Sequence, residues 1–286
     1  MKVLMDILNS AYHDFFKTLF EEDDLNRNLV YMKDLPDDQV KCRLKIKSDL
    51  VLSGGEFFVM AFQYLGAKHL DLDLLKSEEG QWIKASDKKE YVFTLPFNVA
   101  LTGERIALNL LQRSCAISTS TKQLVEKASG SGVKILDTRK TTPGLRALEK
   151  NAVVIGGGYN HRLGQTDMWM VKDNHKKFFG GVKEAVDFFK NRNGFYTPIE
   201  VEIHDLEELK VAIDLGVRHL MLDNFSPADI KKAVEIKPSG VTYEVSGGVN
   251  LSNVQDYLID GVDAISSGVI TSYPERVDIS LKMERI

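Results

Sequence analysis

Eight consecutive residues, "DTRKTTPG" at 137–144, combine an acid, two cations, three hydroxyls, a proline and a glycine. They follow "VKIL", an apolar run of the kind that forms a buried strand. Arg139 and Lys140 lie in this stretch. Arg162 and Lys172 lie at or just past later apolar runs, and Arg105 and His161 are plausible additions to the set. Cations gathered in one cleft cost several kcal/mol unless anions balance them. The formal net charge is −4, so the cluster is not a by-product of a basic composition. Such a set suits a polyanionic ligand: arginine grips planar carboxylates with two parallel hydrogen bonds, and lysine meets phosphate as a compact charge. The competing explanation is internal neutralisation by Asp137, Asp167 and Asp173.

Two acids, Glu202 in "IEVEIHD" and Asp223 in "LMLDNF", also close apolar runs. Near phosphates, paired carboxylates hold Mg²⁺ or accept hydrogen bonds from ribose hydroxyls; otherwise they cap the helices that follow. Asp173, His175 and His204 stand nearby, and His204 reads more readily as a helix-start residue. "GGGYNHR" and "SGGVN" follow strands too. Glycine lets backbone N–H groups approach a phosphate closely. Ser246, Gly247 and Gly248 before "NLSNVQDYL" would then place amide donors at a helix N-terminus, although tight turns account for most such pairs.

These groups need a scaffold that brings them to one end. From residue 133 onward short apolar strands alternate with helical patterns: "VKILDT", "AVVIGGG", "MWMVKDN", "IEVEI", "HLMLDN", "VTYEVSGG" and "DAISSG". Ser226-Pro227 reads as an N-cap followed by a proline at the first helical position, and Gly261 as a C-cap. The alternation implies parallel strands with right-handed crossovers. A barrel is preferred to a doubly wound sheet, because nearly every strand ends in polar residues or glycines, and barrel sites are built at strand C-termini. No GxGxxG follows the first strand, which argues against a dinucleotide fold. The first hundred or so residues differ. An amphipathic helix (Met5, Leu8, Tyr12, Phe16, Leu19) precedes "QVKCRLKI", whose period of two marks a strand with one wet face. The expected fold class is α/β: an N-terminal α+β open-faced sandwich over 1–112 and a C-terminal, incomplete β/α barrel over 113–286 carrying the site.

At 286 residues the chain can bury a large core. The acidic balance argues against a general nucleic-acid binder. Two cysteines without a CxxC or Cys/His cluster argue against a disulfide framework or zinc site. Neither a signal peptide nor a membrane span is expected, so the expected location is the cytoplasm.

The run "DTRKTTPGLRALEKNAVVIGGGYNHRLGQTDMWMVKDNH" (137–175) closely resembles the central signature of the quinolinate phosphoribosyltransferases. "GERIALNLLQR" (103–113), "IEVEI", "LMLDNF", "SGGVN" and "GVDAISSG" fit the same family in order, so the resemblance spans roughly residues 100–270. It implies transfer of phosphoribose from phosphoribosyl pyrophosphate to quinolinate with loss of CO₂, within NAD synthesis. It also implies a homodimer, able to assemble further into hexamers, with sites shared between subunits. By the same resemblance Arg139, His161 and Arg162 hold the quinolinate carboxylates, and Arg105 joins them from the neighbouring subunit. Lys140 and Lys172 face the substrate and pyrophosphate region. Glu202 and Asp223 sit by the ribose and Mg²⁺, directly or through water. Ser246, Gly247, Gly248 and Gly268 cradle the 5′-phosphate.

The chain departs from the family in places. "TSYP" (271–274) puts Ser272 where a histidine is usual, "SCAIST" puts Cys115-Ala116 where Ser-Gly is usual, and "EEDDLNRN" replaces a common acidic-glycine stretch. The alternatives are a related protein of the molybdenum-transport-associated group, which tends to lose the "KDNH" stretch kept here, and a non-catalytic dicarboxylate or nucleotide binder.

Overall fold

A computed structural model describes residues 2–24, 33–68, 70 and 72–286. The chain forms two compact units: residues up to Ser118 together with Glu275–Ile286, and Thr119–Pro274. The side chains of Met5 and Leu8, and residues 25–28 of "EEDDLNRN", lie outside the described residues.

The first unit opens with helix α1 (Lys2–Glu22), followed by β1 (Gln39–Ile46), β2 (Leu50–Val51), α2 (Gly55–Tyr64), α3 (Asp73–Ser77), β3 (Trp82–Ile83) and β4 (Glu90–Pro96). Helix α4 (Phe97–Lys127) begins in this unit, and the last strand, β11 (Ile279–Arg285), returns to it. Strands β11, β1 and β4 make an antiparallel sheet in that order. Val40, Cys42, Leu44 and Ile46 are buried on one face, while Arg43 and Lys45 pair with Glu90 on the other. Phe58 and Phe62 of α2 pack edge-on or tilted against Phe93, and Phe16 and Phe20 of α1 reach Tyr64. The unit is therefore an open-faced sandwich. Cys115 is fully buried against Ser53, and burial pushes its thiol up to about 12, which makes it a packing residue rather than a reactive one.

Two boundaries differ from the sequence reading. The division falls at Ser118, within α4, rather than at 112, because "ERIALNLLQRSCAISTSTKQLVEK" is one uninterrupted helix. The last twelve residues belong to the first unit, not the barrel. Ile279 and Leu281 alternate with polar neighbours and complete the sheet beside β1, which a two-stranded ribbon would leave marginal.

The second unit holds six parallel strands: β5 (Lys134–Leu136), β6 (Trp169–Val171), β7 (Ile199–Ile203), β8 (His219–Asp223), β9 (Thr242–Ser246) and β10 (Ala264–Ser266). Their order is β5-β10-β9-β8-β7-β6, and Tyr159 bridges in parallel to Leu136 on the outer side of β5. Read round, this is a barrel whose second strand has shrunk to one residue, leaving the seam toward β6 open. Helices α5 (Arg146–Ile155), α6 (Asp173–Phe179), α7 (Val182–Lys190), α8 (Leu206–Asp214) and α9 (Pro227–Glu235) connect the strands, and α10 (Val269–Ser272) is a single turn. Asp205 caps α8, and Ser226 with Pro227 opens α9, as the sequence predicts for the latter.

The predicted strand "AVVIGGG" is instead the end of α5. Leu148, Ala152 and Val153 are buried while Val154 is exposed, a helical spacing. The predicted helix over "NLSNVQDYL" is only a 3₁₀ turn, Val254–Tyr257. Asn250 Oδ1 accepts from Ser252 N–H, Asn253 Oδ1 accepts from Asn250 N–H, and both amide groups donate to Gly248 O. Such local bonds compete with the helix ladder. No helix among the described residues is long and apolar enough to cross a membrane.

Candidate active site

Alternation along each barrel strand sends every second residue inward. The inward pairs are Met170/Lys172, Glu200/Glu202, Met221/Asp223, Glu244/Ser246 and Ala264/Ser266. The C-terminal member of each pair lines a cavity of about 720 Å³. Around it stand Thr138, Arg139, Lys140, His161, Arg162, Asn224, Gly247, Gly248, Gly268 and Ser272. Every predicted site residue of the second unit is thus brought to one cavity. Arg105 lies exposed on α4 in the first unit and does not line it.

The acids that could have neutralised the cations are committed elsewhere. Asp137 is fully buried and binds Lys150 Nζ at 2.5 Å. Asp173 pairs with Lys177, and Asp167 accepts the backbone N–H groups of Leu163 and Gly164. Among the described residues no carboxylate lies within ion-pair distance of Arg139, Lys140 or Arg162. Arg139 Nε is buried without a hydrogen-bond partner. Burial first, and then the Arg139 charge, hold the Arg162 pKa below its ordinary value. Two guanidinium groups that repel each other, one with an unsatisfied donor, form a site that an incoming dianion would relieve. Lys172 differs: its Nζ donates to Glu202 Oε2 at 3.1 Å.

The glycines serve packing as well as phosphate access. Gly247 has φ +100°, and a Cβ there would lie 2.2 Å from Asn224 Oδ1, so only glycine fits. A Cβ on Gly268 would lie 3.0 Å from Lys140 Cδ, so this glycine makes room for the lysine stem. Thr271 and Ser272 donate hydroxyl protons to the Lys140 carbonyl. Ser272, which the resemblance sets where a histidine is usual, lines the cavity.

His161 joins the cavity to the layer beneath it. Its Nδ1 accepts from the Arg162 N–H at 2.8 Å, which places the ring proton on Nε2. That nitrogen lies 3.0 Å from Glu200 Oε2 and 3.4 Å from Glu244 Oε2. Burial disfavours the imidazolium, but Glu200 and Glu244 together raise the His161 pKa. A second proton would still have to displace the Arg162 amide from Nδ1. Both nitrogens are engaged within the protein, so neither is free for a substrate carboxylate, unlike the role the resemblance implies. Glu200 and Glu244 escape a sequence reading that looks only at the last residue of each strand. Their position two residues before Glu202 and Ser246 was the available signal. Asn224, just past the end of β8, donates to Asp223 Oδ2 at 2.8 Å from a left-handed backbone (φ +58°) that asparagine tolerates.

Glu244 Oε1 has no hydrogen-bond partner among the described residues. Burial, and then the Glu200 charge, push the Glu244 pKa up to about 8 from 4.5. Between those values the folded chain keeps a proton that the unfolded chain has released. The associated stability is fully present below 4.5 and is lost as pH rises to about 8, at up to about 1.4 kcal/mol per pH unit. Glu244→Gln should remove this slope, so its stability relative to the parent protein should improve between about pH 5 and pH 8. Urea midpoints at the two pH values read the effect, and an equal difference at both would mean that Glu244 is already ionised.

Glu202, His204 and Asp223 place ligand atoms within 4.8 Å of one another. The two carboxylates fit Mg²⁺, which is usually held by one or two carboxylates plus substrate phosphates.

The C-terminal-domain model of quinolinate phosphoribosyl transferase matches residues 117–282. A probable nicotinate-nucleotide pyrophosphorylase [carboxylating] of Synechocystis is 37% identical over 250 residues, 86% of this chain and 83% of that protein. A protein of the same description from Bacillus subtilis is 42% identical over 186 residues, 65% of this chain and 64% of its own length. The crystal structure of NadC from Streptococcus pyogenes superposes with a TM-score of 0.85 at 31% identity, covering 96% of each chain. With its arginines outside any carboxylate ion pair among the described residues, its glycine loops and its paired carboxylates at one barrel mouth, the chain belongs to the quinolinate phosphoribosyltransferase family.

Proposed function

We propose that this chain transfers phosphoribose from phosphoribosyl pyrophosphate to the ring nitrogen of quinolinate, with release of pyrophosphate and CO₂, giving nicotinate mononucleotide for NAD synthesis. The observation that carries the reading is the Arg139–Arg162 pair, whose charges repel and which no carboxylate among the described residues reaches within ion-pair distance, with its buried, unpartnered Arg139 Nε. Two adjacent carboxylates on a flat ring match two guanidinium groups. Lys140, over Gly268, and Lys172 meet the phosphate-rich partner. Ser246, Gly247, Gly248 and Gly268 cradle the 5′-phosphate. His161 supports Arg162 from below.

Attack of the pyridine nitrogen on the anomeric carbon develops positive charge on the ribose, beside Glu202 and Asp223. These two carboxylates would hold Mg²⁺, directly or through water, and the ion would supply charge neutralisation to the departing pyrophosphate. The ring nitrogen, once ribosylated, is cationic and stabilises the electron pair left on C2 as CO₂ departs. That carbon then takes up a proton. The protein contributes positioning and charge rather than covalent chemistry. Arg105 completes the site from a partner subunit in a homodimer, which can build into a hexamer, and the enzyme works in the cytoplasm.

The test is an assay with quinolinate, phosphoribosyl pyrophosphate and Mg²⁺, following CO₂ and nicotinate mononucleotide together, with nicotinate as control substrate. Equal yields of both products, from quinolinate alone, are expected. Saturable quinolinate binding without turnover would replace this reading with that of a binding protein.

A further inference from the structure

Beside the cavity, charged groups that the proposed reaction does not use lead toward Asp223, which it does use. They start at Lys176 on α6, a lysine only 5% exposed. Its Nζ lies 2.6 Å from Glu208 Oε2, 2.9 Å from Glu202 O and 2.8 Å from His204 Nδ1. Burying an ammonium costs several kcal/mol unless it is fully paired. Here three acceptors account for its three protons. An ammonium has no lone pair, so Lys176 must be the donor to His204 Nδ1. A ring nitrogen that accepts a hydrogen bond carries no proton, and the proton of neutral His204 therefore sits on Nε2. Nε2 faces Asp223 Oδ2 at 3.5 Å, the oxygen that also accepts from Asn224. Glu208 Oε2 additionally accepts the His204 backbone N–H at 2.9 Å, which fixes the main chain carrying the ring.

By proximity alone His204 would be counted with Glu202 and Asp223 as a His-and-two-carboxylate set, the kind of site that takes a transition metal. The Lys176 contact rules that out. A ligating nitrogen needs its lone pair; that of Nδ1 points at an ammonium, and that of Nε2 is occupied by a proton. We infer that Lys176 is a positioning residue that fixes His204 with its Nε2 proton turned toward Asp223, and so keeps Glu202 and Asp223 an all-oxygen site for a hard divalent cation. The use of that cation rests on the proposed reaction, but the tautomer is a property of the free protein.

Removing the ammonium should reverse the arrangement. Glu208 Oε2 lies 3.6 Å from His204 Nδ1, so in Lys176→Met the carboxylate can accept from a protonated Nδ1. The Nε2 lone pair is then released toward the two carboxylates. Long-range ¹H–¹⁵N correlation spectra of the metal-free, substrate-free protein read the tautomer directly, with His204 assigned through His204→Gln. The Nε2–H form is expected; an Nδ1–H form in the parent protein overturns the inference. Co²⁺ titration supplies the second reading. Lys176→Met should bind Co²⁺ about 10- to 100-fold more tightly than the parent, with a visible spectrum characteristic of nitrogen ligation. The double variant Lys176→Met/His204→Gln should lose the gain. Unchanged Co²⁺ affinity and spectrum in a folded Lys176→Met would also overturn it. Should that variant not fold, the parent tautomer decides the matter. An inactive parent protein with an Nε2–H His204 would sink the proposed reaction and leave this inference standing.

Discussion

Arg139→Met is expected to lower kcat/KM for quinolinate by roughly 10²- to 10⁴-fold while leaving the substrate-free protein as stable as the parent or slightly more so. The first half follows from the loss of a charge-assisted, largely desolvated contact to a carboxylate. Stranding one partner of such a pair costs about 3–5 kcal/mol, and each 1.4 kcal/mol is about a factor of ten. The second half follows from what Arg139 lacks in the free protein. Its Nε is buried without a partner, and its charge depresses the pKa of Arg162. A buried donor left unsatisfied costs about 1–3 kcal/mol, which an apolar side chain of similar reach does not incur. Steady-state kinetics and a ligand-free thermal melt together make the test. Quinolinate should raise the melting temperature of the parent and not of the variant, by mass action. A variant that loses activity and stability together would place Arg139 in the scaffold rather than in the site.

The contrast between Arg139 and Asp137, two residues apart, shows what was legible in the sequence. Residue types at strand ends announced both the barrel and its mouth, because strand alternation and the βα connection leave few other places for them. Pairing was not legible. Asp137 read as a possible partner for the site cations, yet its partner is Lys150, thirteen positions along on a stretch half read as strand. Misreading "AVVI" as a strand hid the helix that carries Lys150 beneath the loop. The turn after Gly248 departs from the helical reading for a related reason: two asparagine side chains, Asn250 and Asn253, capture backbone groups that periodicity assigns to a helix. Lys176 was invisible because a lysine beside "KDNH" looks like surface charge until its three acceptors, drawn from β7 and the α8 segment, are brought round it. The C-terminal strand went to the wrong unit because sequence proximity to the barrel is no guide to which sheet edge needs it.

Lys150→Met should destabilise the second unit by about 3–5 kcal/mol, the usual result of removing one member of a buried ion pair. Asp137 is fully buried and Lys150 is 2% exposed. Burial pushes the Asp137 pKa up even though Lys150, the His161 amide and Asn160 all favour its carboxylate. Without the ammonium, that balance tips further toward a protonated acid or an uncompensated charge. The damage should reach the site, because the same lysine donates to His161 O at 3.0 Å and Asp137 accepts from His161 N–H and Asn160. Those bonds hold the "YNHR" turn that presents His161 and Arg162. The chain's two tryptophans fall one to each unit, Trp82 in the first and Trp169 in the second. Fluorescence of a Trp82→Phe background therefore follows the barrel alone, and its melt should move down by about ten degrees or more in Lys150→Met. The matched double variant Asp137→Leu/Lys150→Met gives the decisive comparison. If the single change harms by stranding a charge, removing both partners should recover part of the loss. Should the double variant be the sum of two independent losses, the pair is not coupled, and its members stabilise the turn through separate hydrogen bonds.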